Sequence, residues 1–270
     1  MFDMSTQVIP PFCSTAGPRA NVTAFLDRAA AAGLFVSMRI GPFICGEWSY
    51  GGIPAWINEV PGMTIRSANP AWEGRMTSFV QAFYAKIEPY LAKNGGPIIM
   101  LQLENEAGPA NPSLPYVQYV TKLASSLNSA LPFLWCGVQP PDIPQMKPLP
   151  MLVPAYNGNT GAVFADQMDK LAPDYPLMWT ENEGWYHPWG SDPIDPGLGD
   201  ASSLQAGSAA LPPWDAATIH ANASPQEMAT DIAAWVARGG AFMNYYMVTR
   251  PLASDVSRWA GFSHWVLLYM

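Results

Sequence analysis

Six short apolar runs separated by helical or loop stretches predict an α/β fold, and three observations set its kind. The run Ile98 to Leu103 is hydrophobic apart from Gln102, as expected of a parallel strand buried on both faces. It stops at Glu104-Asn105-Glu106, which puts polar groups at its carboxyl end, where β/α barrels carry their chemistry. The chain has 270 residues, and one such barrel commonly occupies about 250. The expectation is a (β/α)8 TIM-barrel type domain, and an incomplete one. Six strands fall two short of closure, with the first two missing or divergent.

The elements follow in order. Residues 1–20, rich in Pro, Ser and Thr, show no period and read as an irregular segment. Val22, Phe25, Leu26, Ala29 and Ala30 recur at helical spacing, with Asn21 as cap and Gly33 as stop. A strand over 34–40 follows, broken by Gly41-Pro42. The loop Gly41 to Trp56 is too long and too aromatic for a minimal connection, which marks it as functional. Trp72, Met76, Phe79, Val80, Phe83 and Ile87 mark a long amphipathic helix that ends near Pro89. The strand over 98–103 comes next, then a helix through Val117, Val120, Leu123 and Leu127.

Further strands are expected over 133–138, 152–156, 177–180 and 241–247. A short helix is expected over 164–171. Ser224-Pro225 followed by Glu227 is a capping box that starts a helix reaching Arg238. The Gly- and Pro-bearing region from Glu181 to about Thr218 is expected to cover a cleft. In domain terms, 21–250 is a partial barrel and 251–270 a divergent tail.

Composition narrows the function. Hydrophobic residues make up 49% and charged residues 13%, which describes a folded core. The net charge of -8 argues against a nucleic-acid footprint or an anionic membrane surface, so a neutral ligand fits better. No run approaches the ~18 apolar residues of a membrane span, and no signal peptide opens the chain. Cys13, Cys45 and Cys136 show no metal-ligand spacing and allow one disulfide at most.

The stretch GGPIIMLQLENEAG resembles the signature of glycoside hydrolase family 35, the β-galactosidases. The likeness extends to GPFICGEW and GGIPAW, to Ile65-Arg66-Ser67, and to Thr180-Glu181 followed by Gly184-Trp185. It implies a retaining enzyme that cleaves terminal β-galactosyl residues without metal or cofactor, in an extracellular or vacuolar/lysosomal setting. It places the acid/base on Glu106, a sugar-hydroxyl contact on Asn105 and a supporting role on Glu104. Cys45, Gly46 and Glu47 would line the sugar pocket, and Tyr246 would approach the nucleophile.

Glycosidic cleavage needs a second carboxyl group at the end of another strand. Glu181 qualifies, directly after an expected strand and 75 residues beyond Glu106 (181 − 106), with Glu183 as the alternative. Glu106 should have a raised pKa, and Glu181 should be ionised and held by donors. The family's Trp-Asn-x-His-Glu-Pro strand has no counterpart here. That keeps two alternatives open: another retaining β-glycosidase, such as a β-glucosidase or exo-β-glucosaminidase, or an inactive sugar-binding homologue.

Overall fold

The structure, a computed structural model, describes residues 21–45, 51, 53–107, 114–136, 152–158, 161–182, 225–246 and 266–269. The irregular 1–20 segment, the site candidates Gly46, Glu47 and Glu183, and the expected cleft cover from residue 183 to Thr218 lie outside the described residues. The chain forms two compact units, one of residues 1–154 with 249–270 and one of residues 155–248.

In the first unit, helix α1 spans Val22–Ala31, and Asn21 caps it by accepting the Ala24 N–H at 3.0 Å. Its far end closes through paired bonds: Leu34 N–H reaches the Ala29 carbonyl at 2.9 Å and Gly33 N–H reaches Ala30 at 3.0 Å. Gly33 takes the left-handed φ of 71° that such a closure needs. This turn feeds strand β1, Phe35–Gly41, buried along its length after Phe35.

Helix α2, Pro70–Ile87, starts two residues before the first expected apolar position, because Asn69 caps it and Pro70 suits the first turn. Trp72, Met76, Val80, Phe83, Tyr84 and Ile87 form its buried face. Full burial of one such side chain contributes about 1.5–3 kcal/mol, so this face anchors the unit. Past Ile87 the chain tightens into 3-10 turns around Pro89 and turns at Gly95 into β2, Ile98–Leu103. Helix α3 spans Leu114–Ser126 and leads to β3, Phe133–Cys136. β1 pairs parallel with β2, and β2 with β3.

One strand was not expected. Val266–Tyr269 forms β7, which runs antiparallel along the other edge of β1, with Phe35 opposite Tyr269 and Met38 opposite Val266. Its partner is more than 200 residues away in sequence (266 − 38 = 228), a pairing that local periodicity does not reveal.

In the second unit, β4 (Leu152–Gly158, whose first residues close the first unit), β5 (Leu177–Asn182) and β6 (Gly240–Tyr245) pair parallel in that order. Helix α4, Gly161–Leu171, and helix α5, Pro225–Ala237, pack together over β5 and β6. The core is aromatic: the Trp179 and Trp235 rings meet edge-on with centroids 5.6 Å apart. Gly161 is required beneath them, since a Cβ there would come within 2.7 Å of both rings. Each unit thus supplies three parallel strands, six among the described residues, against the eight of a closed barrel.

Candidate active site

The first candidate cluster is the turn at the carboxyl end of β2. Glu104 and Glu106 both have left-handed backbones, with φ of 64° and 49°. Non-glycine residues there cost on the order of 1–3 kcal/mol each and persist only where the surroundings hold them. Arg66 supplies much of that hold. Its Nε donates to both Glu104 carboxylate oxygens at 3.2 Å, and its Nη2 donates to Oε2 at 3.0 Å. The same Nη2 donates to the Asn105 carbonyl at 2.6 Å, so one guanidinium ties both the carboxylate and the backbone between the strained residues. The guanidinium also lies 3.7 Å from the Phe43 ring centroid.

The remaining Glu104 lone pairs are filled from the protein. Tyr116 O–H donates to Oε1 at 2.8 Å and the Asn105 N–H donates to Oε2 at 2.9 Å. Trp72 Nε1 in turn donates to the Tyr116 oxygen at 3.0 Å. Burial, and then the Glu104 charge, push the Tyr116 phenol pKa well up, so it stays protonated as a donor. Glu104 is 1% exposed, and its oxygens are occupied by Arg66, Tyr116 and the Asn105 N–H, which suits it to holding the turn's geometry.

Glu106, two residues on, is exposed, with Oε2 3.9 Å from the Sγ of exposed Cys45. Between the two glutamates, Asn105 is buried, and its Oδ1 receives Cys136 Sγ at 2.8 Å and Gln102 Nε2 at 3.1 Å. Asn105, Glu106 and Cys45 thus gather at one turn. No disulfide joins Cys45 and Cys136.

Glu181 sits in the second unit and lies inside β5, not after it as expected, because the ladder continues through two polar residues. It is 5% exposed and is aligned with Asn157 of β4. Strict alternation would put it on the face of Trp179, which packs on the helices. Register shifts interrupt the ladder between Tyr156 and Asn157 and between Trp179 and Asn182. Trp179 Nε1 donates to the Glu181 carbonyl at 2.9 Å, and the Tyr246 N–H donates to the Asn182 carbonyl at 3.1 Å, which joins the end of β5 to the end of β6. Thr180 Oγ1 bonds Asn157 Oδ1 at 2.7 Å across the same edge.

Among the described residues no group of three or more His, Cys, Asp and Glu could hold a metal ion. None of their helices is long and apolar enough to cross a membrane.

The sequence model of glycosyl hydrolases family 35 matches residues 15–249 of the chain. The chain belongs to that family. Probable beta-galactosidase 2 of Dictyostelium discoideum is 30% identical over 238 residues, covering 84% of this chain and 26% of that protein. Beta-galactosidase 8 and beta-galactosidase 10 of Arabidopsis thaliana are each 32% identical, covering 85% and 86% of this chain and 23% and 27% of those proteins. The chain therefore spans about a quarter of the length of these relatives. As a family 35 member it has the α/β fold of an incomplete (β/α)8 barrel, with its strands in the order the sequence predicted.

Residue-level reasoning missed four participants around the β2 turn: Arg66, Tyr116, Gln102 as a cluster member, and Cys136. Arg66 carried a signal only within Ile65-Arg66-Ser67. Tyr116 and Cys136 carried none, because each meets the turn from another element.

Proposed function

We propose that the chain is the catalytic portion of a retaining β-galactosidase that removes terminal non-reducing β-D-galactosyl residues from oligosaccharides or glycoconjugates by double displacement. The observation that carries this reading is the turn after β2. There Arg66, bound to the Glu104 carboxylate and the Asn105 carbonyl, holds a turn in which Glu104 and an accessible Glu106 have left-handed backbones on either side of Asn105. Family membership and relatives named as β-galactosidases support the substrate class.

In this reading Glu181 attacks the anomeric carbon while Glu106 donates its proton to the departing oxygen, leaving a galactosyl ester on Glu181. Glu106 then takes a proton from water, whose oxygen attacks the anomeric carbon, breaking its bond to the Glu181 carboxylate and releasing galactose with retained configuration. That chemistry needs the two carboxyl groups about 5–5.5 Å apart. Asn105, Cys45, Gly46, Glu47 and Tyr246 contact the sugar or approach the nucleophile. Two carboxyl groups and water suffice for these steps. The family resemblance supports an extracellular or vacuolar/lysosomal setting.

The test is substitution with rescue. Glu106→Gln and Glu181→Gln each abolish turnover of a chromogenic β-galactoside, and azide restores turnover to Glu181→Gly. Rescue through Glu183→Gly instead would move the nucleophile. Faster turnover of the gluco or N-acetylglucosaminyl analogue would replace the substrate assignment.

A further inference from the structure

A buried polar cluster beneath the β2 turn has no part in the proton transfers just described. Gln102 Nε2 lies 2.8 Å from the Glu104 carbonyl, 2.7 Å from Cys136 Sγ and 3.1 Å from Asn105 Oδ1. A carbonyl can only accept, so the Glu104 contact fixes which end of the Gln102 amide is nitrogen. That orientation leaves Gln102 Oε1 buried without a partner among the described residues, a cost the cluster tolerates.

A donor facing Asn105 requires the Asn105 oxygen to face inward. The Cys136 thiol supplies the second constraint: it accepts from Gln102 and donates its own hydrogen to Asn105 Oδ1 at 2.8 Å. The Asn105 oxygen thus accepts from the Cys136 thiol on β3 and faces Gln102 Nε2 on β2, whose two hydrogens are shared among three acceptors. The Asn105 Nδ2 group makes no hydrogen bond among the described residues. Rotating the amide by half a turn would replace two donors with two acceptors beside Glu106, so the lock decides what kind of group the turn offers a ligand.

We propose that Cys136 is a positioning residue: clasped by Gln102, its thiol locks the Asn105 oxygen inward and so presents the Asn105 amide hydrogens as donors to a galactosyl hydroxyl. This rests on the reading of Asn105 as a sugar contact in a β-galactosidase. The 2-hydroxyl is the group to probe, because hydrogen bonds to it strengthen in the transition state of glycoside hydrolysis.

The experiment is a double-mutant cycle read on p-nitrophenyl β-galactoside and its 2-deoxy analogue. Loss of one orienting hydrogen bond lowers kcat/KM for the galactoside about tenfold in Cys136→Ala. The preference for galactoside over the 2-deoxy sugar falls in the same proportion, and Cys136→Ser recovers part of both. In an Asn105→Ala background the Cys136→Ala change alters kcat/KM less than about twofold, as expected when one residue acts only through the other. A Cys136→Ala defect that persists in full without Asn105, or that leaves the 2-deoxy preference untouched, overturns the proposal.

A second measurement needs no turnover. The Asn105 side-chain amide gives one sharp pair of nitrogen-15 correlated resonances in the wild-type protein and a broadened or doubled pair in Cys136→Ala; an unchanged pair overturns the proposal. A wild-type chain that hydrolyses no galactoside would sink the functional reading, and the amide resonances would then decide the role of Cys136 by themselves.

Discussion

Arg66→Ala removes the guanidinium that spans Glu104 and the Asn105 carbonyl. The variant loses three N–H contacts to the carboxylate at 3.0–3.2 Å, one to the carbonyl at 2.6 Å, and the contact with the Phe43 ring. Glu104 is 1% exposed and is left with Tyr116 and the Asn105 N–H as its hydrogen-bond partners among the described residues. Removing one partner of a buried pair costs about 3–5 kcal/mol. The Arg66 side chain is 23% exposed, so water can partly replace it and the lower end applies. For a chain of this size about 3 kcal/mol lowers the melting temperature by roughly 6–12 °C.

Adding Glu104→Gln to Arg66→Met removes both charges. The new amide can still accept the Asn105 N–H and donate to the Tyr116 oxygen, while the phenol turns to Met76 Sδ, 3.3 Å away. The double variant should therefore recover at least half of the lost stability, while kcat/KM stays low because the backbone around Glu106 has lost its tie. Thermal melts followed by circular dichroism, with galactoside kinetics on the same samples, check both. An Arg66→Ala variant that melts within about 2 °C of wild type would refute the reasoning, since the estimate requires a loss several times larger.

Tyr116 gives a pH-dependent expectation. Burial and the Glu104 charge raise its folded-state pKa, so its contribution to stability is complete below the unfolded value of 10.0 and is lost as pH rises above it. Between pH 9 and 11 the wild-type protein should lose stability more steeply than Tyr116→Phe, by up to about 1.4 kcal/mol per pH unit, as measured by urea denaturation. At neutral pH the same variant is itself less stable by about 1–3 kcal/mol, because Trp72 Nε1 and Glu104 each lose a partner. Asn69→Ala removes the α2 cap and should cost about 0.5–2 kcal/mol in a melt while leaving kcat/KM unchanged.

The sequence yielded whatever was local. The strand over 98–103 agrees with its structural bounds because an apolar run sits between Gly-Gly-Pro and three polar residues, and α1 was delimited by Asn21 and Gly33. β5 was read two residues too short, since Glu181 and Asn182 look like loop residues until β4 and β6 are seen to pair beside them. β7 gave no readable signal, as four apolar residues near the end of the chain reveal nothing of an antiparallel partner at Phe35–Met38.

The site divides in the same way. The Glu-Asn-Glu turn was visible as carboxylates at a strand end. The reason Glu104 and Glu106 differ was not, because it resides in Arg66, 38 residues upstream of Glu104, and in Tyr116 on α3. The thiol of Cys136 meets Asn105 from 31 residues away (136 − 105), so counting cysteines could not assign it a place.

The central claim is that Glu181 and Glu106 divide one glycosidic cleavage between them, and covalent trapping tests it most directly. A 2-deoxy-2-fluoro-β-galactosyl fluoride combines a good leaving group with an electron-withdrawing substituent beside the anomeric carbon, so the first displacement proceeds and the second stalls. Peptide mapping by mass spectrometry should then find the fluorogalactosyl group esterified to Glu181 in wild type and in a nucleophile-competent Glu106→Gln variant. A label on Glu183 or Glu106, or an unlabelled protein that still turns over galactoside, would contradict the account.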